Sequence, residues 1–476
     1  MIFNSFEFFV FLPIVFVLYW FVFNKKLKWQ NLLLLVTSYI FYGWWDWRFL
    51  SLIVFSSFID FHSGLQIVKA HTRTIKKRWL TFSIFVNLGF LGVFKYYNFF
   101  ANSLYEAFLS VGFEIDVFTL DIVLPVGISF YTFQTMSYTI DVYRNKLKPT
   151  TDPIAFFAFV SFFPQLVAGP IERANNLLPQ FYKFRKFEYH KAVDGLRQIL
   201  WGLFKKVVVA DNCAKVVNLV FNNSEGFNGS SLWIAAVFFA FQIYGDFSGY
   251  SDIAIGTSRL FGFNLKQNFA FPYFSRDIAE FWRNWHISLS TWFRDYVYIP
   301  LGGSKGNIWN RIRNTLIIFT VSGFWHGANW TFIVWGIINA IYFLPLLLLK
   351  RNRKNTNVVA ENSFFPNWKE LSQMSFTFFI TIIAWVFFRA NTIKDAFVYI
   401  RRLFLEMSFQ FPQVALKPIA FIGLLLIIEW LNRRNKHGLV LDAIRAPILR
   451  WGIYFFILIV ILFYAAPSQE FIYFQF

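Results

Sequence analysis

Two of the six histidines in this 476-residue chain lie among closely spaced polar and aromatic residues, and the first is His286. On a helix that turns about 100° per residue, Trp282 and Trp285 share one face of the segment 276–296, and His286 lies at its border. The opposite face carries three arginines: Arg276, Arg283 and Arg294. We therefore predict an amphipathic helix at the membrane surface. Such a helix is more often an anchor than a site, but its arginines could steer an anionic substrate toward His286.

The second is His326, in the sequence SGFWHGANW. It belongs to the longest uncharged run of the chain, 314–349, and is therefore predicted at membrane depth. Gly323 and Gly327 bracket it at helical spacing and would let a backbone or a ligand approach closely, while Asn329 adds an amide. A neutral histidine can accept a proton from a hydroxyl at neutral pH, yet a buried histidine can also serve structure alone. The residues alone favour neither the catalytic nor the structural interpretation of His326.

Other residue patterns limit the chemistry further. Asp60, Asp246 and Asp252 lie in apolar surroundings, where carboxylates could relay protons or ions. The chain has no His-Glu-x-x-His box and no phosphate-binding glycine loop. Residues 302–306, GGSKG, match the string around some serine nucleophiles, but no predicted strand precedes them. We therefore expect no metal site and no serine nucleophile, and the single Cys213 excludes an internal disulfide.

The elements that must position these residues are predicted from composition. Hydrophobic residues make up 57% of the chain and charged residues 15%, against about 25% charged residues in soluble domains. Uncharged runs long enough to cross a bilayer recur at 29–45, 122–140, 226–245, 314–349, 371–388 and 451–469. In lipid such runs must satisfy their own backbone hydrogen bonds, which favours helices, whereas a β-barrel would show short alternating strands. The predicted class is an all-α polytopic membrane protein.

The net charge of +19 fits basic cytoplasmic loops better than nucleic-acid binding. Basic loops lie at 25–28, 69–78, 144–148, 183–191, 350–354 and 433–436. Placing them in the cytoplasm predicts about twelve crossings within a single membrane domain, 1–476, whose motif-rich part is 122–330. The uncharged segment 153–171 has basic loops on both sides and contains Pro164 and Pro170, so we predict a broken or re-entrant segment there.

Several separated motifs resemble the membrane-bound O-acyltransferase (MBOAT) family, in particular the bacterial branch that includes the alginate O-acetyltransferase membrane subunit. The sequence FWRNWHISLSTW at 281–292, continuing through RDY to PLGG, is similar to the signature of that branch. The sequence FWHGA at 324–328 resembles its second histidine motif. Three further segments match in the same order: LPVGISFYTFQ at 124–134, FPQLVAGPIE at 163–172 and DFSGYSDIA at 246–254.

The resemblance implies a ring of helices, with re-entrant and interfacial helices, around a tunnel that joins the two membrane faces. It implies that His326 is the essential catalytic residue and that His286 is a second important residue on the cytoplasmic side. We expect substrates to be held by the side chains around them: Asn284, Arg283, Arg276, Arg294, Trp285, Trp325 and Asn329. The family has no bound cofactor. Its acyl donor would be acetyl-CoA or a carrier-protein thioester, which would enter from the cytoplasm.

The resemblance also implies multi-pass insertion in the bacterial inner membrane and a periplasmic or membrane-anchored acetyltransferase partner that modifies a cell-surface polysaccharide. As a hypothesis, His326 deprotonates the acceptor hydroxyl, while His286 and Asn284 orient the donor; an acyl-enzyme on His326 is the variant. The main alternative is a transporter or flippase with an Asp/His proton relay, and a second is a scaffold that docks a soluble transferase. The acceptor stays open among alginate, peptidoglycan, other exopolysaccharides, teichoic acid and lipid-linked sugars.

Overall fold

The structure, a computed structural model, describes residues 1–406, 412–467 and 469–472. All regular structure within these residues is helical, which confirms the predicted all-α class. The chain packs as two compact units, the first formed by residues 1–192 and 257–265, and the second by residues 193–256 and 266–476. The assignment of residues 1–476 to one acyltransferase domain stays a prediction.

Six helical segments among the described residues are long and apolar enough to cross a membrane: Leu27–Lys69, Arg73–Ser110, Gly229–Leu260, Trp330–Leu348, Trp368–Arg389 and Pro447–Tyr464. A shorter apolar segment, Phe6–Val22, precedes them. These segments confirm a membrane protein with several apolar helices. The count of about twelve crossings and the central tunnel stay predictions.

The first unit contains eight α-helices within its described residues: α1 Phe6–Val17, α2 Leu27–Asp46, α3 Leu50–Lys69, α4 Arg73–Leu91, α5 Tyr97–Ser110, α6 Ile128–Tyr143, α7 Pro153–Ser161 and α8 Ala174–Leu177. Helix α7 confirms the predicted break, because it ends after nine residues and is followed by turns. Nine residues rise only about 14 Å, roughly half of a hydrocarbon core. Residues 158–172 are all buried within the protein, as non-helical backbone at membrane depth requires.

Asp60 lies in a polar cluster inside the first unit. Helices α3, α4 and α6 pack together there, and Asp60 is fully buried. Its carboxylate accepts hydrogen bonds from Ser83 Oγ and from Asn87 Nδ2, the latter at 2.9 Å. Asn87 Oδ1 in turn accepts from Ser56 Oγ at 2.8 Å. These bonds join the helices in apolar surroundings, where an unpaired carboxylate would be costly.

The second unit contains the remaining α-helices of the described chain: α9 Tyr189–Leu203, α10 Asp211–Phe221, α11 Gly229–Leu260, α12 Ile278–Asn284, α13 Ile287–Phe293, α14 Ile308–His326, α15 Trp330–Leu348, α16 Trp368–Arg389, α17 Ile393–Leu405, α18 Lys417–Leu431 and α19 Pro447–Tyr464. Helix α9 begins, and helix α11 ends, with residues of the first unit. The uncharged run 314–349, predicted as one apolar stretch, is two helices that turn at residues 327–329.

Helices α14 and α15 pack at very close range through two glycines. A Cβ added to Gly323 would lie 2.2 Å from the carbonyl oxygen of Phe332, and one added to Gly336 would lie 2.4 Å from that of Phe319. Both distances are well inside van der Waals contact, so only glycine allows the two backbones to approach this closely. This packing fixes the end of α14, which carries His326.

Candidate active site

The segment around His286 is two short helices with a sharp break, which corrects the prediction of one continuous amphipathic helix over 276–296. Helix α12 ends at Asn284, helix α13 begins at Ile287, and His286 lies between them with φ +44°. A non-glycine residue in this left-handed region costs about 1–3 kcal/mol unless its surroundings hold it. The neighbouring segment does so, because Ala270 N donates to the Asn284 carbonyl at 2.9 Å and Ile287 N donates to the Asn268 carbonyl at 2.8 Å.

Asn268 also holds the His286 side chain. Its Oδ1 lies 3.2 Å from His286 Nδ1 and accepts from Ser288 Oγ at 2.8 Å. Its Nδ2 donates to Ser251 Oγ at 3.1 Å, which fixes the orientation of the amide. Because an amide oxygen only accepts, this contact assigns the proton of the neutral imidazole to Nδ1. The lone pair of the ring is then on Nε2, the nitrogen that can act as a base.

The surroundings of His286 are otherwise aromatic. Its ring lies 4.5 Å from that of Phe247, 6.2 Å from that of Phe269 and 6.1 Å from that of Trp325, centroid to centroid. Only 1% of the residue is exposed. Burial lowers the pKa of His286 well below its usual value, and the nearby His326 acts in the same direction. The imidazole is therefore neutral at pH 7.

His326 is the last residue of α14 and lies in an aromatic cage. Trp325, Trp335 and Phe388 present their rings edge-on to the imidazole at centroid distances of 5.0, 5.2 and 5.4 Å. Trp385 stacks on Trp335 at 5.5 Å and completes the cage. His326 is 3% exposed and is therefore buried within the protein, while its depth in the membrane stays a prediction. Such surroundings exclude water from a reacting centre.

Trp325 connects the two histidines. It precedes His326 in the sequence, and its ring lies 6.1 Å from that of His286. Two residues that are 40 positions apart in the sequence are therefore brought to one site by α13 and α14. Trp285 lies in the same aromatic cluster, 1% exposed and 5.1 Å from Trp385. Catalytic roles for these residues stay predictions.

The arginines do not form the exposed basic stripe that a continuous helix would have given. Arg276 is 7% exposed and forms ion pairs with Glu280 at 2.9 Å and with Glu370 at 3.3 Å. Arg294 pairs with its neighbour Asp295 at 2.7 Å. Because the break rotates α13 relative to α12, the helical spacing that aligned these side chains in the sequence no longer applies. Arg276 therefore stabilises the fold, and its contact with substrate stays a prediction.

Arg283 is exposed and donates to backbone carbonyls of the loop that follows α15, at Asn352 with a distance of 2.8 Å and at Asn355. Together with Asn284 and Arg433 it lines a cavity of about 120 Å³ beside α12. Asn284 is thus two residues from His286 and also lines a cavity that two arginines and the carboxylate of Glu280 border. A phosphate group could replace a neutral carbonyl at such a guanidinium with a stronger hydrogen bond.

Asn329 and the predicted relay carboxylates have structural partners. Asn329 caps α15, because its side chain accepts from Thr331 N at 3.0 Å. Among the carboxylates, Asp246 pairs with Lys206 at 2.7 Å and Asp252 pairs with Lys205 at 2.5 Å, all four being largely buried. Each pair satisfies two charges that would be costly to bury alone.

Comparison with known proteins identifies the family of this chain. The family model of the membrane-bound O-acyltransferases matches residues 144–391, which include both histidines. The chain belongs to the MBOAT family. It is 41% identical to the "Probable alginate O-acetylase AlgI" of Azotobacter vinelandii over 399 residues, which is 83% of this chain and 76% of that relative. It is 34% identical to the "Peptidoglycan O-acetyltransferase" of Helicobacter pylori over 416 residues, 82% and 76% of the two chains.

A more distant MBOAT relative is the "Teichoic acid D-alanyltransferase" of Streptococcus thermophilus, 31% identical over 247 residues, which is 49% of this chain and 59% of that relative. All three relatives are named for acyl transfer. As a member of this family with such relatives, the chain is a membrane-bound O-acyltransferase, as the motifs predicted.

Residues outside the motifs complete this MBOAT site and were missed by sequence reasoning. Asn268 holds His286 from a non-helical segment, and Trp335 and Phe388 form the cage of His326 from two later helices. A lone asparagine in a polar stretch gives no spacing signal. The two aromatic residues sit in apolar helices, where 68 phenylalanines and 19 tryptophans make any one of them inconspicuous.

Proposed function

We propose that this enzyme passes an acetyl group from a cytoplasmic thioester, acetyl-CoA or an acyl carrier, to a hydroxyl acceptor for modification of an extracytoplasmic polysaccharide. The single observation that carries this proposal is the pairing of His286 and His326 on either side of Trp325 in a buried aromatic setting. A histidine base that is shielded from water suits a reaction in which a reactive thioester must not be hydrolysed.

In the proposed reaction, His326 takes the proton of the acceptor hydroxyl as its oxygen attacks the thioester carbonyl carbon. The carbon–sulfur bond then breaks, and the thiolate takes the proton back from the imidazolium, so that an ester and a free thiol leave. His286, with its proton fixed on Nδ1 by Asn268, would orient the thioester end of the donor. An acyl group carried on His326 is the covalent variant of the same scheme.

The donor side of the proposal is supported by the cavity that Arg283 and Arg433 line; the carboxylate that also lines it, Glu280, is paired with Arg276. The loops that contain residues 350–354 and 433–436 were both assigned to the cytoplasm by their charge, and the cavity lies next to them. Phosphates of coenzyme A or of a phosphopantetheine arm would find guanidinium donors there, one helix away from His286.

The acceptor class rests on the relatives, two of which are named for acetylation of alginate and of peptidoglycan and one for D-alanylation of teichoic acid. Alginate, peptidoglycan and teichoic acid are all polymers that carry hydroxyl groups. We propose the same class of acceptor here, with a periplasmic or membrane-anchored acetyltransferase as the partner that completes the transfer.

The test is an acyl-transfer assay with the purified protein in lipid nanodiscs. Radiolabelled acetyl-CoA is mixed with alginate or peptidoglycan oligosaccharides, with and without the partner protein, and covalent label is counted. We expect His326→Ala to lower the transfer about 10²–10⁴-fold, the usual contribution of a general base. The matched control is His71→Ala, at an exposed histidine between α3 and α4, which should keep full activity.

A His326→Ala protein that inserts normally and transfers at the wild-type rate would refute the base and the acyl-enzyme schemes together. Label that crosses a sealed vesicle without any covalent change would refute acyl transfer to the acceptor and favour transport.

A further inference from the structure

A cleft of about 550 Å³ lies in the first unit, between the end of α1 and the segment that precedes α9. Its apolar lining consists of five aromatic side chains: Phe16, Trp20, Phe21, Phe184 and Phe187. Three of them are largely exposed, with 73% of Phe21, 58% of Phe184 and 48% of Phe187 accessible. An aromatic cleft of this size that opens to the surface of a membrane protein suits a hydrocarbon chain.

The deeper wall of the cleft is rigid. Trp20 Nε1 donates to the carbonyl of Leu260 at 2.9 Å, which anchors the indole. The ring of Phe187 packs edge-on against Trp20 at 5.6 Å and against Phe16 at 6.0 Å. The cleft is therefore held by contacts within the unit and does not have to be opened by a ligand, which lowers the cost of binding.

The rim of the cleft is cationic. Lys25 and Lys186 line it and are exposed, and Arg185 lines it while only 6% exposed. Arg185 is fixed by hydrogen bonds to the oxygen of the Asn31 amide at 2.6 Å and to the Gln180 carbonyl at 3.1 Å. No carboxylate lines the cleft among the described residues. The three positive charges are therefore available to an anion at the mouth of an apolar cavity.

We propose that this cleft is a binding site for a phospholipid with an anionic headgroup, drawn from the cytoplasmic leaflet. An acyl chain would lie against the aromatic wall, and the headgroup phosphate would lie among Lys25, Lys186 and Arg185. The loops 25–28 and 183–191, which supply the cations, are both basic and were assigned to the cytoplasmic side. Each Lys or Arg near the surface of an anionic leaflet adds a favourable interaction with its lipids, and the apolar cleft supplies the selectivity for an amphiphile.

The experiment is native mass spectrometry of the full-length protein extracted in a mild detergent and supplied with dioleoylphosphatidylglycerol or dioleoylphosphatidylcholine. We expect wild-type protein to retain phosphatidylglycerol in preference to phosphatidylcholine. The double variant Lys25→Gln/Lys186→Gln should lower the retention of phosphatidylglycerol about tenfold. The matched control, Lys69→Gln/Lys77→Gln, alters two exposed lysines of another basic loop and should keep the wild-type retention.

A second variant tests the apolar part of the site. Phe184→Ala shortens an exposed wall residue, so folding should be unaffected, and it should lower the retention of both lipids. Glycerol 3-phosphate, which has the charge but no acyl chain, should not displace the bound lipid. Equal retention in the two lysine double variants, equal binding of the two lipids by wild-type protein, or displacement by glycerol 3-phosphate would each overturn the proposal.

Discussion

Replacement of Asn268 by alanine tests whether the orientation of His286 matters for the reaction. Asn268 Oδ1 accepts from Ser288 Oγ at 2.8 Å, from Ser288 N at 3.2 Å and from His286 Nδ1 at 3.2 Å. At about 1 kcal/mol for each neutral hydrogen bond, their loss should destabilise the protein by about 3 kcal/mol. The catalytic effect of the substitution would arise at His286 alone, because its imidazole would no longer be held in one tautomer.

Partners that orient a functional histidine elsewhere contribute about 10–100-fold, or about 1.4–2.7 kcal/mol of barrier. We therefore expect Asn268→Ala to lower kcat about 10–100-fold, with less than a threefold change in KM for the donor. The assay is acetyl transfer at saturating donor, with folding checked by thermal unfolding in detergent. The matched control is Asn87→Ala, which removes buried hydrogen bonds to Ser56 and Asp60 in the first unit and should leave kcat unchanged.

The variant Asn268→Asp distinguishes an effect on the chemistry of His286 from a purely structural role of Asn268. A carboxylate at this position would favour the imidazolium and raise the pKa of His286, which burial lowers in the wild-type protein. Since the neutral ring is the active form, the acid-side loss of kcat/KM should move to higher pH by about one unit. A folded Asn268→Ala enzyme with at least half of the wild-type kcat, or an unchanged pH profile in Asn268→Asp, would refute the reasoning.

Two further predictions concern stability and are measured by thermal unfolding in the same detergent. Gly323→Ala should lower the free energy of unfolding by about 1–3 kcal/mol, because its Cβ would lie 2.2 Å from the Phe332 carbonyl, whereas Gly423→Ala, with no atom within 4 Å, should be neutral or stabilising. Lys206→Met should cost about 3–5 kcal/mol, because it leaves two buried carboxylates without the ammonium that pairs with them at 2.7 and 2.9 Å. Lys191→Met, at an exposed pair, should cost less than about 1 kcal/mol.

Equal unfolding midpoints for the two glycine variants would contradict the close packing of α14 on α15. Likewise, a Lys206→Met protein as stable as Lys191→Met would contradict a stabilising role for the buried pairs of Lys206.

Two of the apolar helices could be predicted from the sequence to within a few residues. The runs 29–45 and 371–388 correspond to α2, Leu27–Asp46, and to α16, Trp368–Arg389. This agreement has a physical basis, because a long uncharged run can satisfy its backbone in lipid only as a helix. The break in 153–171 could also be predicted, since proline lacks the backbone N–H donor and glycine lacks the side chain that restricts backbone conformation.

The geometry at His286 could not be predicted in this way. Nothing local marks the break, because the left-handed residue is a histidine and the periodicity of apolar residues continues through it. The break depends on Asn268, whose partners lie 18 and 20 positions away along the chain. Arg276 likewise depends on a distant partner, Glu370, which lies 94 residues later. This contact keeps Arg276 away from the surface that helical spacing had assigned to it. Periodicity describes one helix at a time and carries no information about such partners.

Both histidines lie at helix ends, and at His326 the residue that follows makes this placement possible. Helix α14 ends at His326, and Gly327 continues in extended backbone past the ring of Phe332. A Cβ at Gly327 would lie 2.1 Å from that ring, which itself packs at 4.8 Å against Phe388, the residue that borders His326. Any side chain at this position would therefore displace the cage and the histidine together. The glycine in the sequence FWHGA thus acts on the imidazole through packing, because only glycine lets the chain leave the helix directly behind the ring and keep the cage closed.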